Sequence, residues 1–389
     1  MLQNLPNREH CTGCSACYNS CMHEAIIMRQ DKEGFLMTII DEDKCVRCNV
    51  CVKKCPVINV PNIEESTKKI FAAYNLNKEQ HQKSASGGLF SAFANYFYDL
   101  KNGVICASAF DLSLNLRFDI STEKKDLEKL RGSKYVQSEV GLIYREIRKL
   151  LIDGKSVFFL GTPCQVAGLR AYLGKEYDNL FTVDLVCHGV PSPKLFKSYL
   201  NSIGISSKKE YDNYYFRSQK NSIYFISSVK PVGEHSMFIP YNQHSYISAY
   251  LRGWIHRESC YNCHFTGKHR QGDCTICDFW GILAGKTSFL GGDKSMGVSM
   301  LMVNTPTGER IFSEMKSQLY LEEKSFEEAL IDNHNLIHSD ERPPERDFMY
   351  DELITLSPKE FMRKYNCKLY TPTSFVKRII RRVRNFFHI

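Results

Sequence analysis

Two runs of cysteine hold the most specific chemistry in the chain: Cys11-x2-Cys14-x2-Cys17-x3-Cys21 and Cys45-x2-Cys48-x2-Cys51-x3-Cys55-Pro56. This is the ligand spacing of a bacterial two-cluster ferredoxin. Three thiolates of one loop grip one 4Fe–4S cube, and the fourth cysteine, beyond the loop, ligates the other cube. The expected sets are Cys11, Cys14, Cys17 and Cys55 for one cluster and Cys45, Cys48, Cys51 and Cys21 for the other. Met22 stands where proline is usual in the first run, which should loosen the backbone locally without removing a ligand. Two such clusters move single electrons, so the rest of the chain has to supply a destination.

A second constellation lies downstream. Cys164 and Cys187 each follow a short apolar segment, 156–160 and 180–186, and a helix over 165–173 separates them. Strand, helix, strand at this spacing is a parallel unit, and ligands of parallel sheets bind beyond the carboxyl ends of the strands. Both cysteines should therefore meet at one sheet edge. Cys164 also opens a helix, where the dipole favours a thiolate. Further on lie Cys260-x2-Cys263 and Cys274-x2-Cys277. Two ligand sets compete: a third 4Fe–4S cluster on Cys164, Cys187, Cys260 and Cys263, or a cluster or zinc on Cys260, Cys263, Cys274 and Cys277. Cys106 and Cys367 read as ordinary buried thiols. His188, directly after Cys187, is a weak candidate proton donor, and a turn-forming histidine explains it equally well. Asp278 and Trp280 line a pocket or simply pack.

The elements around these residues follow from periodicity. A strand is expected over 35–40, a linker over 60–69, a helix over 84–100 capped by Ser84 or Ser86, a strand over 104–110 and a helix over 140–151. Residues 211–260 read as antiparallel strands, 281–297 as a glycine-rich loop and 299–304 as a further strand. The fold class is α/β and α+β: a ferredoxin-type domain at 1–60, then an α/β body with a partly parallel sheet, divided into regions 70–150 and 151–345. A C-terminal extension, 346–389, follows. Within it Phe375, Val376, Ile379, Ile380, Val383, Phe386 and Phe387 share one helical face and Lys377, Arg378, Arg381, Arg382 and Arg384 the other. A basic amphipathic helix over 375–389 suits peripheral contact with anionic lipid, or docking on its own domain.

The strings SASGGLFSA (84–92), GSKYVQS (132–138), GTPCQVAGLR (161–170), DLVCHGVPSP (184–193), SCYNC (259–263) and DFWGI (278–282) resemble the coenzyme F420 hydrogenase/dehydrogenase beta-subunit family, in particular bacterial members with a fused N-terminal ferredoxin domain. The resemblance runs from about Cys11 to Asn304. It implies an iron–sulfur flavoprotein that holds FAD and a body-domain cluster and exchanges electrons with a deazaflavin, a ferredoxin or a pigment. Carried over, the body ligands are Cys164, Cys187, Cys260 and Cys263. Flavin contacts are Ser86, Gly87 and Gly88, with Lys134, Tyr135 and Gln137 as further candidates. Cys274 and Cys277 depart from the family pattern. Independently, one-electron clusters serving a two-electron organic substrate require a carrier that does both, as a flavin does, and glycines opening a helix can hold a phosphate.

Other classes are set aside on chemistry. No G-x-G-x-x-G marks a nicotinamide site, and 281–287 is one residue short of a phosphate-binding loop. The net charge of +8 has its strongest cluster at the far C-terminus and not beside the cysteines, which argues against nucleic acid. The start MLQNLPNREHC lacks an export signal, so the 16 cysteines imply a reducing cytosol, at most the inner face of a membrane. The expectation is a cytoplasmic, ferredoxin- or deazaflavin-linked oxidoreductase acting on a small organic substrate. The alternative is a non-catalytic electron-transfer subunit of a larger hydrogenase/dehydrogenase complex. A homo-oligomer stays open.

Overall fold

The structure, a computed structural model, describes residues 5–64, 68–100, 102–205, 208–217 and 227–367. The expected helix at 375–389 lies outside them.

The N-terminal unit is a pseudo-repeat. Helix α1 (Ala16–Ser20) is followed by the antiparallel hairpin β1 (Ile26–Gln30) and β2 (Leu36–Ile40), then helix α2 (Val50–Lys53). The strand expected over 35–40 is there, and β1 is a partner that the sequence pattern does not announce. The hairpin and the two short helices bring the two cysteine runs side by side.

The body is built on an eight-stranded sheet. Its strands are β3 (Lys69–Asn75), β4 (Gly103–Phe110), β5 (Leu116–Ser121), β6 (Ser156–Gly161), β7 (Leu180–Leu185) and, further along, Cys274–Asp278, Ser299–Val303 and Leu319–Lys324. A separate antiparallel sheet, β8 (Tyr211–Tyr215), β9 (Ser228–Pro231) and β10 (Met237–Phe238), precedes the last three, which are therefore β11, β12 and β13. Strand order in the large sheet is β13-β3-β12-β11-β7-β6-β4-β5. The block β11-β7-β6-β4 is parallel, and antiparallel pairs flank it. The central strands read as continuous apolar runs because both faces are covered. One face packs around Phe93, Phe97, Phe158 and Phe181, the other around Tyr144, Phe159, Val166 and Leu169.

Three expectations need correction. The stretch given to a linker already turns into β3 at Lys69, which lies in the sheet between β12 and β13. The helix over 84–100 starts only at Leu89 and runs to Asp99; its N-cap is Gly88 at φ +79°, and no side chain caps it. Ser84 instead donates to the Gln80 carbonyl at 2.7 Å. The expected strands of 211–260 end at Phe238, and Ser245–Leu251 and Glu258–Tyr261 are helical. The aromatic residues that suggested strands there, Tyr246 and Tyr250, are buried from helix faces in a core with Phe196 and Phe216.

Candidate electron-transfer site

Each N-terminal run wraps its cysteines the same way. Gly13 and Ser15 in the first, and Arg47 and Asn49 in the second, all take left-handed φ values of 54–68°. Alternating left- and right-handed residues turn successive N–H groups inward, a concavity that suits an anionic iron–sulfur cube. Cys11, Cys14, Cys17 and Cys55 line one hollow with Thr38 and Pro56. Cys21, Cys45, Cys48 and Cys51 line the other with Ile26, Ile40, Val46 and Val50. The fourth cysteine of each run thus sits in the opposite hollow.

The two hollows differ in setting. Burial pushes the Cys14 thiol well up and Cys17 to about 12, although the Thr38 hydroxyl, 3.4 Å from Cys17 Sγ, opposes this. Cys48 in the second hollow is exposed. Met22, in the proline position, is 83% exposed.

The body cysteines converge as well. Thr162 caps helix Pro163–Leu173 with a box closed by Gln165, so Cys164 sits in its first turn. Parallel pairing sets Gly161 opposite Asp184. Cys187 therefore emerges at the same edge as Cys164. Cys260 lies on Glu258–Tyr261, and its backbone N–H donates to the Arg257 carbonyl at 2.9 Å. Burial raises all four thiols, Cys164 to about 11 and Cys187 to about 12, and the neighbouring thiols reinforce the rise at Cys164, Cys187 and Cys260. The helix-start position of Cys164 was expected to favour its thiolate; desolvation is the larger effect.

Cys274 and Cys277 do not join this group. As residues three apart on β11 they face opposite sides of the sheet. Cys274 is fully buried among Phe312, Leu301 and Val303, and Cys277 packs with Phe279 and Met300. Among the described residues no three Cys, His, Asp or Glu side chains are spaced for a single metal ion. A zinc ion needs its thiolates about 2.3 Å away on every side, whereas the four irons of a cube allow them to stand farther apart.

Two sites are coupled across the domain seam. A Cβ on Gly168, in the Cys164 helix, would lie 3.0 Å from Cys14 Cβ and 3.2 Å from its sulfur. Gln137 donates from Nε2 to the Thr12 carbonyl at 2.9 Å and accepts from Arg257 Nη1 at 3.0 Å. Arg145 donates to the carbonyls of Asn19 and Cys21, both at 2.8 Å. Gln137 therefore stands in the seam between the first hollow and the body.

The remaining candidates lie along the sheet edge. Ser299 is registered between Ala73 and Asp278. From the loop after β3, where Ser86, Gly87 and Gly88 sit, to Cys187 after β7 is three inter-strand steps, about 14 Å. The Gly87 N–H donates to Ser299 Oγ at 2.9 Å, and a Cβ there would lie 2.4 Å from the Ala73 carbonyl oxygen. Close packing thus explains this glycine. Ser86 Oγ donates to the Val298 carbonyl at 3.2 Å. Lys134 Nζ donates to the carbonyls of Leu130, Arg131 and Gly132, and burial lowers its ammonium to about 7. Tyr135 packs on Phe216 and Tyr250.

Midway along the edge, Arg217 binds Asp278 Oδ2 at 2.6 Å and lies over Trp280. Asp278 Oδ1 is buried without a hydrogen-bond partner. Sequence reasoning missed Arg217; no local motif marks it. His188 is half-buried, its imidazole held below the ordinary value by desolvation, with its ring edge-on to His334. Among the described residues no helix is long and apolar enough to cross a membrane.

Comparison with known proteins finds both parts. Residues 154–329 match the family described as the C terminus of the coenzyme F420 hydrogenase/dehydrogenase beta subunit, and residues 10–59 match the 4Fe-4S dicluster domain. Among solved structures, a chain of the F420-reducing NiFe hydrogenase complex from Methanosarcina barkeri is 17% identical, with 80% of this chain and 98% of that one covered at a TM-score of 0.42. No curated protein sequence matches.

Proposed function

We propose an iron–sulfur flavoprotein oxidoreductase, on a chain whose residues 154–329 match the coenzyme F420 hydrogenase/dehydrogenase beta-subunit family behind a 4Fe-4S dicluster match at 10–59. Three cysteine quartets would hold 4Fe–4S clusters: Cys21/Cys45/Cys48/Cys51, Cys11/Cys14/Cys17/Cys55 and Cys164/Cys187/Cys260/Cys263. Their donor sets fit, being four thiols each. The observation that carries the reading is their order in space. The quartet of exposed Cys48 shares the N-terminal unit with the quartet of buried Cys14, and Gly168 brings the latter against the helix of Cys164.

FAD fits the sheet edge through two features: the uncapped helix start after Gly88 and the unpartnered Asp278 oxygen beside Arg217. When bound there, a flavin supplies exchange between one-electron and two-electron chemistry. The free N–H groups at Leu89 and Phe90 would bind phosphate, Arg217 would orient and charge-balance the ring system, and His188 would hold a proton at the cluster end. A ferredoxin or deazaflavin partner and a small organic substrate complete the proposal.

Anaerobic reconstitution tests it. About twelve irons, at four per cube, with one flavin per chain supports the reading; about eight irons, or no flavin, overturns it. A second reading, an electron-relay component of a larger complex, draws support from one observation. Ser86, Gly87, Lys134 and Gln137 all spend polar groups on internal partners. Twelve irons without flavin would select it.

A further inference from the structure

The six buried arginines among the described residues are not alike. Arg131 pairs with Glu128, Arg170 with Asp273, Arg217 with Asp278, Arg270 with Asp184 and Arg346 with Glu33. Arg257, only 2% exposed, faces no carboxylate among the described residues. Its guanidinium donates to neutral acceptors: the Cys11 carbonyl at 2.7 Å, the Leu36 carbonyl at 3.0 Å, Gln137 Oε1 at 3.0 Å and the Met37 sulfur. A buried cation without a counter-charge is costly, so a partner is expected nearby.

The place of Arg257 says what that partner is. On one side its Nε holds the Cys11 carbonyl, and Gly13 of the same loop lies so close that a Cβ would be 3.0 Å from Nη1. On the other side Arg257 is the N-cap of the short helix Glu258–Tyr261, and its carbonyl accepts from the N–H of Cys260 at 2.9 Å. Two tetrathiolate sites flank one lone cation. Four thiolates outweigh the charge of an oxidised cube, so a loaded site is anionic and becomes more so on reduction.

We propose that Arg257 is the shared counter-charge of the first ferredoxin-type cluster and the body cluster, and that it raises both reduction potentials together. The inference rests on the three-cluster reading. Gln137 is the positioning residue that aims the guanidinium, and Arg145, on the Cys21 carbonyl, is the corresponding cation for the exposed cluster.

The test is a spectroscopically followed redox titration of the anaerobically reconstituted full chain. Arg257→Gln should lower the potentials of two clusters and leave the third in place, with the iron count unchanged; Arg257→Lys should recover most of the fall. Gln137→Glu offsets the charge without removing the arginine and should lower the same two potentials, which keeps the idea testable should Arg257→Gln not fold. Arg145→Gln should lower only the potential that Arg257→Gln leaves unmoved. Three clusters whose potentials ignore both the Arg257 and the Gln137 changes overturn the inference alone. An iron count of two clusters removes its premise instead.

Discussion

The two N-terminal hollows are spelled almost identically, yet the fold gives them different neighbours. The quartet around Cys14 is pressed against the body, with Thr38 touching one sulfur and the Cys164 helix touching another. The quartet around Cys48 has that cysteine exposed, and exposed Val46 and Val50 line its hollow. One repeat unit, the inner, thus lies against the body and the other, the outer, away from it. The difference in burial is one of degree: Cys14 and Cys55 are buried in the first hollow, whereas the second has Cys51 buried and Cys48 exposed. On the proposed reading, the quartet of Cys48 is where a carrier would exchange electrons.

Removing a ligand gives the largest contrast. Cys14→Ser should cost about four irons and cut the outer quartet off from the body, because the inner site is the step between them. Cys48→Ser should cost the same iron but leave the inner and body clusters in electronic contact. Iron analysis with the magnetic coupling between the reduced inner and body clusters separates the two; loss of that coupling in Cys48→Ser as well as in Cys14→Ser would refute the inner–outer order.

Thiol reactivity comes next. Alkylation requires the thiolate, and Cys17, pushed up to about 12, should present roughly 10³-fold less of it at pH 8 than an ordinary thiol. In metal-free protein, iodoacetamide should mark Cys48 before Cys14 or Cys17, and labelling of the inner pair should rise as pH climbs toward 12. Peptide mapping across pH reads this directly.

The seam itself can be loosened. Glu33 sits in the ferredoxin-type unit and binds Arg346, which is 1% exposed, and Arg8. Glu33→Gln removes the nearer of two carboxylates from buried Arg346, leaving Glu258 at 3.6 Å, and should cost about 1–2 kcal/mol in denaturant unfolding, with the inner cluster more oxygen-sensitive than before. No change in unfolding midpoint would show that this ion pair does not hold the unit in place. The smallest effect is expected from Thr38→Val. It removes the hydroxyl beside Cys17 and should lower the inner potential slightly, since hydrogen bonds to cluster sulfurs stabilise the reduced form. The outer potential should not respond.

Much of this was legible along the chain. Ligand spacing is local, so the cross-over of Cys21 and Cys55 could be read off directly. Cys164 and Cys187 follow from the parallel-strand rule, and both strands lie where the apolar runs put them. The glycine at 87 was ambiguous because one residue type serves both phosphate approach and backbone packing; its contact with Ala73 and Ser299 decides for packing. Lys134 and Gln137 looked like ligand contacts because they are polar residues in a shared motif. Their partners, three helix-end carbonyls in one case and Thr12 in the other, are invisible without the fold.

Residue type and interval were enough to specify which cysteines can grip a cube, since a loop of two-residue steps fixes its own geometry. They could not specify which cube lies inside, that Cys274 and Cys277 part across a strand, or that Arg257 stands alone between two sulfur sites. Those are properties of burial and of contacts up to 246 positions apart, and such contacts exist only once the chain has closed upon itself.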